Sequence, residues 1–327
     1  KFIDMYAGRL RNQVSFTLSA CNFYMPIFEE ALDAYGLPLE LRYLPIIESA
    51  LNPSAVSRAG ASGLWQFMIG TGKIYGLESN SLVDERRDPI KATWAAARYL
   101  KEMYDIYGDW NLVIAAYNCG PGTINKAIRR ANGETDYWKI YNYLPKETRG
   151  YVPAFIAANY VMTYYCDHNI CPMETNIPAS TDTVQVNKNL HFEQIADLCN
   201  VPLDQIKSLN PQYKKHMIPG DSKPYTLRLP IDAISTFIDK QDTIYAHRAD
   251  ELFRNRKTVA VKEITPSTRK TTAAVAGKGK LTYYTIKSGD TLSTIAGKYG
   301  VTIKDIQRWN GMSNTKIAAG KRLKIYK

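Results

Sequence analysis

Hydrophobic residues repeat at helical spacing in residues 41–51, and one carboxylic acid lies within the repeat. Intervals of three and four residues place four side chains on one face of a predicted helix, namely Leu41, Leu44, Glu48 and Leu51. An apolar face of this kind normally packs against the protein core. The pattern therefore predicts that the Glu48 carboxyl group lies in apolar surroundings.

The predicted surroundings of Glu48 suggest its chemistry. Burial disfavours the charged form of a carboxyl group and raises its pKa. A raised pKa suits a general acid that works near neutral pH. Pro45 lies in the same run and is a residue that kinks helices. The alternative is that Glu48 ends the helix and simply reaches solvent.

The same reasoning predicts a largely helical first half of the chain. Asp88-Pro89 pairs a favoured helix N-cap with a favoured first helical residue, and Gly108 follows the helix that they begin. Periodicity, caps and breakers together predict helices over residues 1–36, 88–108, 109–118, 123–131 and 150–165.

The pattern changes after residue 172, where short β-like segments alternate with short helices. Hydrophobic positions in residues 192–210 recur one hundred positions later, in residues 292–310, and Asn210 is matched by Asn310. The repeat predicts two units arranged as strand, helix, helix, strand. The fold class is therefore mainly α, with a helical domain followed by small α+β modules of βααβ order.

A segment of small residues follows the predicted Glu48 helix. Residues 57–63 are Ser-Arg-Ala-Gly-Ala-Ser-Gly, and such residues let a ligand approach the backbone. Trp65 and Gln66 come next and place an aromatic ring beside an amide, which is typical of sugar-binding sites. The segment predicts a carbohydrate cleft next to Glu48.

Four blocks of sequence resemble the lytic murein transglycosylases of the goose-lysozyme-like fold. The blocks occur in the family order and are Glu48-Ser49, the segment from Ser57 to Phe67, Ala116 to Gly120, and Glu147 to Val152. The Trp after Gly-Leu resembles the membrane-bound D type of this family. The resemblance covers roughly residues 1–170 and implies a lysozyme-like, all-helical catalytic domain.

This resemblance implies a single-acid mechanism. Glu48 would protonate the bond between N-acetylmuramic acid and N-acetylglucosamine in peptidoglycan. The same carboxylate would then take a proton from the muramyl C6 hydroxyl group, which attacks C1 and gives a 1,6-anhydro product. Carried over by motif, the substrate-binding residues would be Ser57, Gln66, Met68, Tyr117, Asn118 and Tyr151.

The second repeat unit resembles a LysM module, a fold that binds N-acetylglucosamine polymers. The resemblance assigns glycan binding to Gly289, Asp290 and Thr291. The first unit carries Asn189-Leu190-His191 at the equivalent positions and is a degenerate version.

Four segments follow from the repeat and the composition. We expect a transglycosylase domain in residues 1–172, a degenerate LysM-like module in 183–230, and a LysM module in 282–326. Residues 231–281 lie between the modules and read as a short helical extension followed by a basic, flexible linker.

Charge narrows the choice of partner. The 327 residues carry a net charge of +11, which favours an anionic partner such as an acidic cell-wall polymer or a lipid surface. Nucleic-acid motifs are absent from the sequence, so we expect peptidoglycan glycan strands and no nucleic acid as partner.

Several features that the sequence lacks predict the cellular location of the protein and whether it binds a cofactor. No apolar run is long enough to span a bilayer, and the sequence starts at Lys1. We expect an exported protein of the periplasm or cell envelope, with outer-membrane association through an anchor upstream of this sequence. Five cysteines without a Cys-x-x-Cys pair or a His cluster predict no metal and no cofactor, and leave a bridge between Cys166 and Cys171 open.

Two other functional classes remain open. A lysozyme-type hydrolase needs a second acid or a positioned water, and the sequence offers Glu78, Asp84, Glu85 and Asp88 without a reason for any of them to face Glu48. A non-catalytic peptidoglycan-binding scaffold would keep the modules and lose the acid.

Overall fold

The computed structural model describes residues 1–174, 177–178, 180–253, 281–287, 290–310, 312, 317 and 319–326. The chain divides into two compact units, Lys1–Pro266 and Ser267–Lys327. The first unit contains a helical domain and a first small module, and the second unit contains another small module.

The helical domain confirms the mainly α prediction. Its helices are α1 (Phe2–Asp4), α2 (Arg11–Ala34), α3 (Leu44–Ser49), α4 (Ile69–Ile74), α5 (Pro89–Tyr107), α6 (Trp110–Cys119), α7 (Pro121–Arg130), α8 (Tyr137–Ile140) and α9 (Lys146–Thr163). Shorter turns of π or 3₁₀ helix lie at Met5–Arg9, Leu39–Tyr43, Glu85–Arg87 and Tyr141–Tyr143.

Helix α5 begins and ends where its capping residues predict. The Asp88 side chain accepts hydrogen bonds from the backbone N–H groups of Ile90 and Lys91, and Gly108 ends the helix in a left-handed conformation. Four buried alanines let neighbouring helices approach α5 closely, namely Ala92, Ala95, Ala96 and Ala97. Helices α2, α6 and α9 share this core with it.

The prediction of one continuous helix over residues 41–51 was wrong. A 3₁₀ turn at Leu39–Tyr43 precedes α3, so helical geometry applies only from Leu44 to Ser49. Pro45 occupies the first turn of α3, where its missing N–H group costs nothing and produces no kink. Ala50 adopts a left-handed conformation at φ 52° and ends the helix one residue after Ser49.

Module 1, defined here as residues 181–253, is an α+β module with two pairs of antiparallel strands. Strand β1 (Thr181–Val186) pairs antiparallel with β4 (Tyr225–Pro230), and β2 (Asn189–His191) pairs antiparallel with β3 (Met217–Pro219). Its helices are α10 (Phe192–Cys199), α11 (Leu203–Leu209), α12 (Ile231–Asp239), α13 (Gln241–Ala246) and α14 (Ala249–Phe253).

The helical extension after residue 230 packs onto module 1. Phe237 on α12 and Ile244 on α13 are buried in its core. The Gln194 side chain is also fully buried and donates hydrogen bonds to the carbonyl groups of Tyr245 and His247. This segment, predicted to be helical but without a role, therefore completes the hydrophobic core of module 1.

Module 2, residues 281–326, repeats the βααβ order. Strand β5 (Leu281–Thr285) pairs antiparallel with β6 (Arg322–Tyr326), and helices α15 (Leu292–Tyr299) and α16 (Ile303–Asn310) lie between them in sequence. The predicted basic linker at 257–280 lies outside the described residues.

Each module is closed in the same way by an asparagine at the end of its second helix. The Asn210 side chain donates to the carbonyl groups of Ile206 and Arg228 and accepts from the N–H group of Arg228. Asn310 makes the same three bonds, to Ile306 and Lys324. Each asparagine thus ties the end of the second helix to the last strand, and the repeat extends to hydrogen bonding.

We expect Asn210→Ala to destabilise the first unit by about 2–3 kcal/mol, because Asn210 is only 1% exposed and its loss leaves buried backbone groups of Arg228 unpaired. Urea denaturation measures the change. Lys215→Ala, at an exposed position of the same module, is the control and should stay within about 0.5 kcal/mol of the wild type. Equal stability of the two variants would contradict the role of Asn210.

Candidate active site

Glu48 lies in the last turn of α3 and has a strongly perturbed carboxyl group. Burial raises its pKa from 4.5 to about 7, a hydrogen bond from Tyr151 opposes that rise, and the negative charge of Glu147 adds to it. The carboxyl group is therefore close to half protonated near neutral pH. Such a group is able both to donate a proton and to accept one.

Two tyrosines stand close to Glu48. The Tyr151 hydroxyl group, from the second turn of α9, donates a hydrogen bond to Glu48 Oε1. The Tyr117 hydroxyl group, from α6, donates to the carbonyl oxygen of Trp65 over 2.7 Å. Burial and the nearby Glu48 charge raise both tyrosine pKa values well above 10, so both phenols remain protonated donors.

The segment after α3 is a tightly closed loop, defined here as the site loop, residues 57–67. The Ser57 N–H group donates to the Ala61 carbonyl, and the Ala61 N–H group donates to Ser57 Oγ. Gly63 has φ +89°, and a Cβ atom there would lie 1.7 Å from the carbonyl oxygen of Arg86. Only glycine fits at this position, because backbone approaches backbone there.

The site loop also contacts α3 directly. The Ser49 hydroxyl group donates to the carbonyl oxygen of Leu64 over 2.9 Å. Since Ser49 follows Glu48 in sequence and Tyr117 binds the Trp65 carbonyl, the loop is held on two sides of the acid.

The expectation that the Trp65 ring faces a sugar was wrong. Trp65 is 0% exposed, its ring packs edge to face on Phe28, and its indole N–H group donates to Thr93 Oγ1 over 2.9 Å. Only its backbone carbonyl reaches the surroundings of Glu48, through Tyr117. The tryptophan anchors the site loop in the core.

The other expected site residues are arranged in different ways. Gln66 has φ 49°, and its amide group donates to the carbonyl oxygens of Gly63 and Ala55. The Asn118 side chain accepts a hydrogen bond from the Thr148 hydroxyl group on α9 over 2.9 Å. Met68 is 46% exposed directly after the site loop. The contacts of Gln66 fix the loop, while Met68 is open to a ligand.

The acids named as candidate second carboxylates bind other partners. Asp84 pairs with Arg86, Glu85 pairs with Lys91, and Asp88 caps α5. Glu78 pairs with Lys223 and accepts from the hydroxyl group of Tyr225. None of these contacts is to Glu48.

Glu147 is the acid that the sequence reasoning missed. It is exposed in the first turn of α9, one turn before Tyr151, and its charge acts on Glu48. Its position in the Glu147-to-Val152 block, four residues before Tyr151, was the available signal.

The glycan-binding positions expected in module 2 have structural partners. Asp290 Oδ2 accepts from the Tyr284 hydroxyl group and from the Lys287 N–H group, and Thr291 forms a capping box with Thr294 at the start of α15. Gly289 lies outside the described residues. In module 1, His191 takes the capping place of Thr291, and Leu190 is buried in the core.

The five cysteines of the chain, all among the residues that the structure describes, form no disulfide bond. Cys166 and Cys171 are both free and exposed. Across the described ranges, no group of three or more His, Cys, Asp and Glu side chains is placed to hold a metal ion. No helix in the described part of the chain is both long and apolar enough to cross a bilayer.

Three family models match the chain in consecutive segments. Residues 25–140 match the Transglycosylase SLT domain, residues 180–246 match the LysM-like domain of lytic transglycosylase MltD, and residues 284–325 match the LysM domain.

Curated relatives agree with these matches. The chain is 33% identical over 294 residues to membrane-bound lytic murein transglycosylase D of Escherichia coli (strain K12), an alignment that covers 89% of this chain and 60% of the relative. It is also 33% identical over 124 residues to the soluble lytic murein transglycosylase of the same strain, covering 36% and 19%. The crystal structure of the 70 kDa soluble lytic transglycosylase from E. coli aligns with 44% of this chain and 24% of its own at 29% identity and a TM-score of 0.38.

Removing the charge of Glu48 should change stability in a pH-dependent way. The folded pKa of Glu48 lies above the unfolded value, so ionisation costs up to about 3 kcal/mol, a cost absent below pH 4.5 and complete above pH 7. Relative to the wild type, Glu48→Gln should therefore gain stability between pH 4 and pH 8. Urea denaturation at both values measures this gain, and a pH-independent difference would contradict the raised pKa.

Removing the Tyr151 hydroxyl group should raise the pKa of Glu48 above about 7, because that hydrogen bond stabilises the carboxylate. Carbon-13 NMR titration of the Glu48 carboxyl group in Tyr151→Phe measures the change. Tyr160→Phe, at an exposed position of the same helix, should leave the titration as in the wild type. An unchanged or lower pKa in Tyr151→Phe would disprove the assigned contact.

Proposed function

We propose that this protein is a peptidoglycan lytic transglycosylase, because residues 25–140 match the Transglycosylase SLT domain and two LysM-type matches follow that segment. Its substrate is the β-1,4 bond between N-acetylmuramic acid and N-acetylglucosamine. The chain spans about 60% of the length of the curated relative that it matches over most of its sequence.

The observation that carries the proposal is the half-buried Glu48, whose carboxyl group has a raised pKa and accepts a hydrogen bond from Tyr151. A pKa of about 7 keeps a useful fraction of Glu48 protonated at neutral pH, while the other fraction is ionised. A single group with this pKa is able to act first as acid and then as base, as a reaction without a second carboxylate requires.

The reaction proceeds in two proton transfers. Protonated Glu48 donates to the glycosidic oxygen as the bond from muramyl C1 to that oxygen breaks, which leaves positive charge on the sugar ring. The Glu48 carboxylate then takes the proton of the muramyl C6 hydroxyl group. At the same time the C6 oxygen forms a bond to C1, which closes the 1,6-anhydro ring. Glu48 ends protonated as it began, and no water is consumed.

Tyr151 supports both steps. Its hydrogen bond to Glu48 Oε1 stabilises the carboxylate that forms when the proton leaves, and it holds the acid in one orientation. Acid–base assistance of this kind contributes roughly 10²- to 10⁴-fold to the rate.

The site loop supplies the remaining substrate contacts in this proposal. In this proposal the substrate contacts Ser57, Gln66 and Met68, while Tyr117 and Asn118 hold neighbouring elements in place. The exposed Met68 side chain supports the first assignment, and the hydrogen bonds of Tyr117 and Asn118 to neighbouring elements support the second.

The positions of the other acids favour transfer to the C6 hydroxyl group over hydrolysis. A hydrolase aligns water with a second carboxylate across the sugar. Asp84, Glu85 and Asp88 are bound to partners of their own, which leaves the exposed Glu147 as the acid that acts on Glu48. A tethered hydroxyl group also has a higher effective concentration than water.

Glycan strands are the proposed partner of the LysM-type domains, and the cell envelope is the proposed location. The net charge of +11 suits an acidic polymer or a lipid surface there. Similarity to the membrane-bound lytic murein transglycosylase D of E. coli supports association with a membrane, and we propose the periplasmic face of the outer membrane.

We expect a digest of purified peptidoglycan to yield muropeptides that end in 1,6-anhydromuramic acid. Each is lighter by one water than the hydrolytic product and resists borohydride reduction, which mass spectrometry detects. Glu48→Gln should lower the rate at least about 100-fold, because it removes the proposed acid–base group, and should leave the helical circular dichroism unchanged.

Glu147→Gln serves as the matched control for Glu48→Gln, since it removes an exposed charge nearby. It should keep the anhydro product and a rate within a few-fold of the wild type. Reducing-end products from the wild type would instead identify a muramidase, with Glu147 as the first residue to test as its base. A wild type without any product would identify a binding scaffold.

A further inference from the structure

A small hairpin of the helical domain enters module 1. Ser79 pairs with Asp84, and the Asn80 N–H group donates to the Val83 carbonyl, which closes the hairpin. The side chains of Leu82 and Val83 are 3% and 0% exposed and belong to the hydrophobic core of module 1. The hairpin is therefore packed as a part of that module.

The backbone of the hairpin also pairs with module 1. Val83 forms a bridge with Tyr213, the Asp84 N–H group donates to the Gln212 carbonyl, and the Lys214 N–H group donates to the Leu82 carbonyl. These bonds fix residues 82–84 against residues 212–214 in one register. Movement of module 1 on the helical domain would break them together.

Three charged side chains meet at this contact. Arg86 binds Asp84 through two parallel bonds of 2.9 and 2.8 Å, and Lys214 Nζ lies 3.6 Å from Asp84 Oδ2. Burial alone would raise the pKa of Asp84, but the hydrogen bonds and charge of Arg86, aided by Lys214, hold it below its ordinary value. The aspartate is thus a charged link between module 1 and Arg86.

Arg86 passes this link to the site loop. Its guanidinium group donates to the carbonyl oxygens of Gly60 and Phe67 over 2.8 and 2.9 Å. Its own carbonyl oxygen faces Gly63, where a Cβ atom would not fit. Arg86 therefore contacts the site loop at Gly60, at Gly63 and at Phe67.

The loop in turn contacts the groups around Glu48. Leu64 accepts from Ser49, the neighbour of Glu48, and Trp65 accepts from Tyr117. Ion pairs, hydrogen bonds and the backbone of the site loop therefore connect Lys214 of module 1 to the surroundings of the acid.

We propose that module 1 is a fixed brace of the active site, and that Lys214 and Arg86 are positioning residues that set the site loop for the reaction. The inference rests on the proposed function for its kinetic readout. Module 1 lacks the glycan-binding residues that are expected in module 2, and its Leu190 is buried in the core at the position that Asp290 occupies in module 2. This difference agrees with a structural role for module 1.

The test uses the full chain with Lys214→Ala, Lys214→Arg and Lys215→Ala. Lys214 is largely shielded next to Asp84, whereas Lys215 is exposed. With short soluble glycan fragments as substrate, Lys214→Ala should lower kcat about 10-fold and change KM less than about 2-fold, because a displaced loop misplaces bound substrate. Lys214→Arg should recover most of the rate, and Lys215→Ala should match the wild type.

Amide hydrogen exchange gives a readout that does not depend on activity. In Lys214→Ala, amides of the site loop should exchange about 10-fold faster, while amides in the middle of α5 keep the wild-type rate. Faster exchange in α5 as well would mean general destabilisation and would overturn the positioning role. So would wild-type kinetics and wild-type loop exchange in Lys214→Ala.

The two proposals fail in different ways. A wild type that releases no anhydro product disproves the proposed function, and the exchange measurement still decides whether Lys214 holds the loop. An active wild type with a Lys214→Ala variant that matches it in both activity and loop exchange disproves only the brace.

Discussion

The buried guanidinium group of Arg86 links the site loop beside Glu48 to the hairpin that packs in module 1. It neutralises Asp84 and donates to two carbonyl groups of the site loop. Burying charge is costly unless every partner is supplied, and here carboxylate and carbonyl oxygens supply them. Arg86 therefore supplies hydrogen bonds and charge to both the site loop and Asp84, which lies beside Lys214 of module 1.

The acid itself depends on a balance between three effects. Burial favours the neutral form of Glu48, the Tyr151 hydroxyl group favours the charged form, and the Glu147 charge favours the neutral form again. The net outcome is a pKa of about 7, to which burial contributes most. The helix that carries Glu48 is short, so the tertiary packing of α9 and the site loop decides this environment.

Local patterns predicted much of the helical domain. Asp88, Pro89 and Gly108 carry the start and end of α5 in their own backbone preferences, and the structure confirms that helix. The helices of the segment after residue 230 were also predicted and are confirmed. The apolar positions around Glu48 signalled burial, although residues 39–43 turned out to form a 3₁₀ turn.

The errors concern properties that local sequence does not contain. Whether the Trp65 ring faces the core or a ligand depends on Phe28 and Thr93, which belong to distant helices. Likewise, no pattern joins Asp84 to Lys214, which are 130 residues apart. The influence of Glu147 on Glu48 follows from the docking of α9 beside α3, a tertiary contact that periodicity does not predict.

The matched asparagines of the two modules have a consequence for how such domains diverge. Asn210 and Asn310 make the same three bonds, although the sequence before the first helix is Asn189-Leu190-His191 in module 1 and Gly289-Asp290-Thr291 in module 2. The bonds that close each module are therefore compatible with different residues before its first helix. Such a module is able to exchange those residues while its architecture survives. The asparagine at the end of the second helix thus marks the shared fold, whereas the residues before the first helix distinguish the two modules.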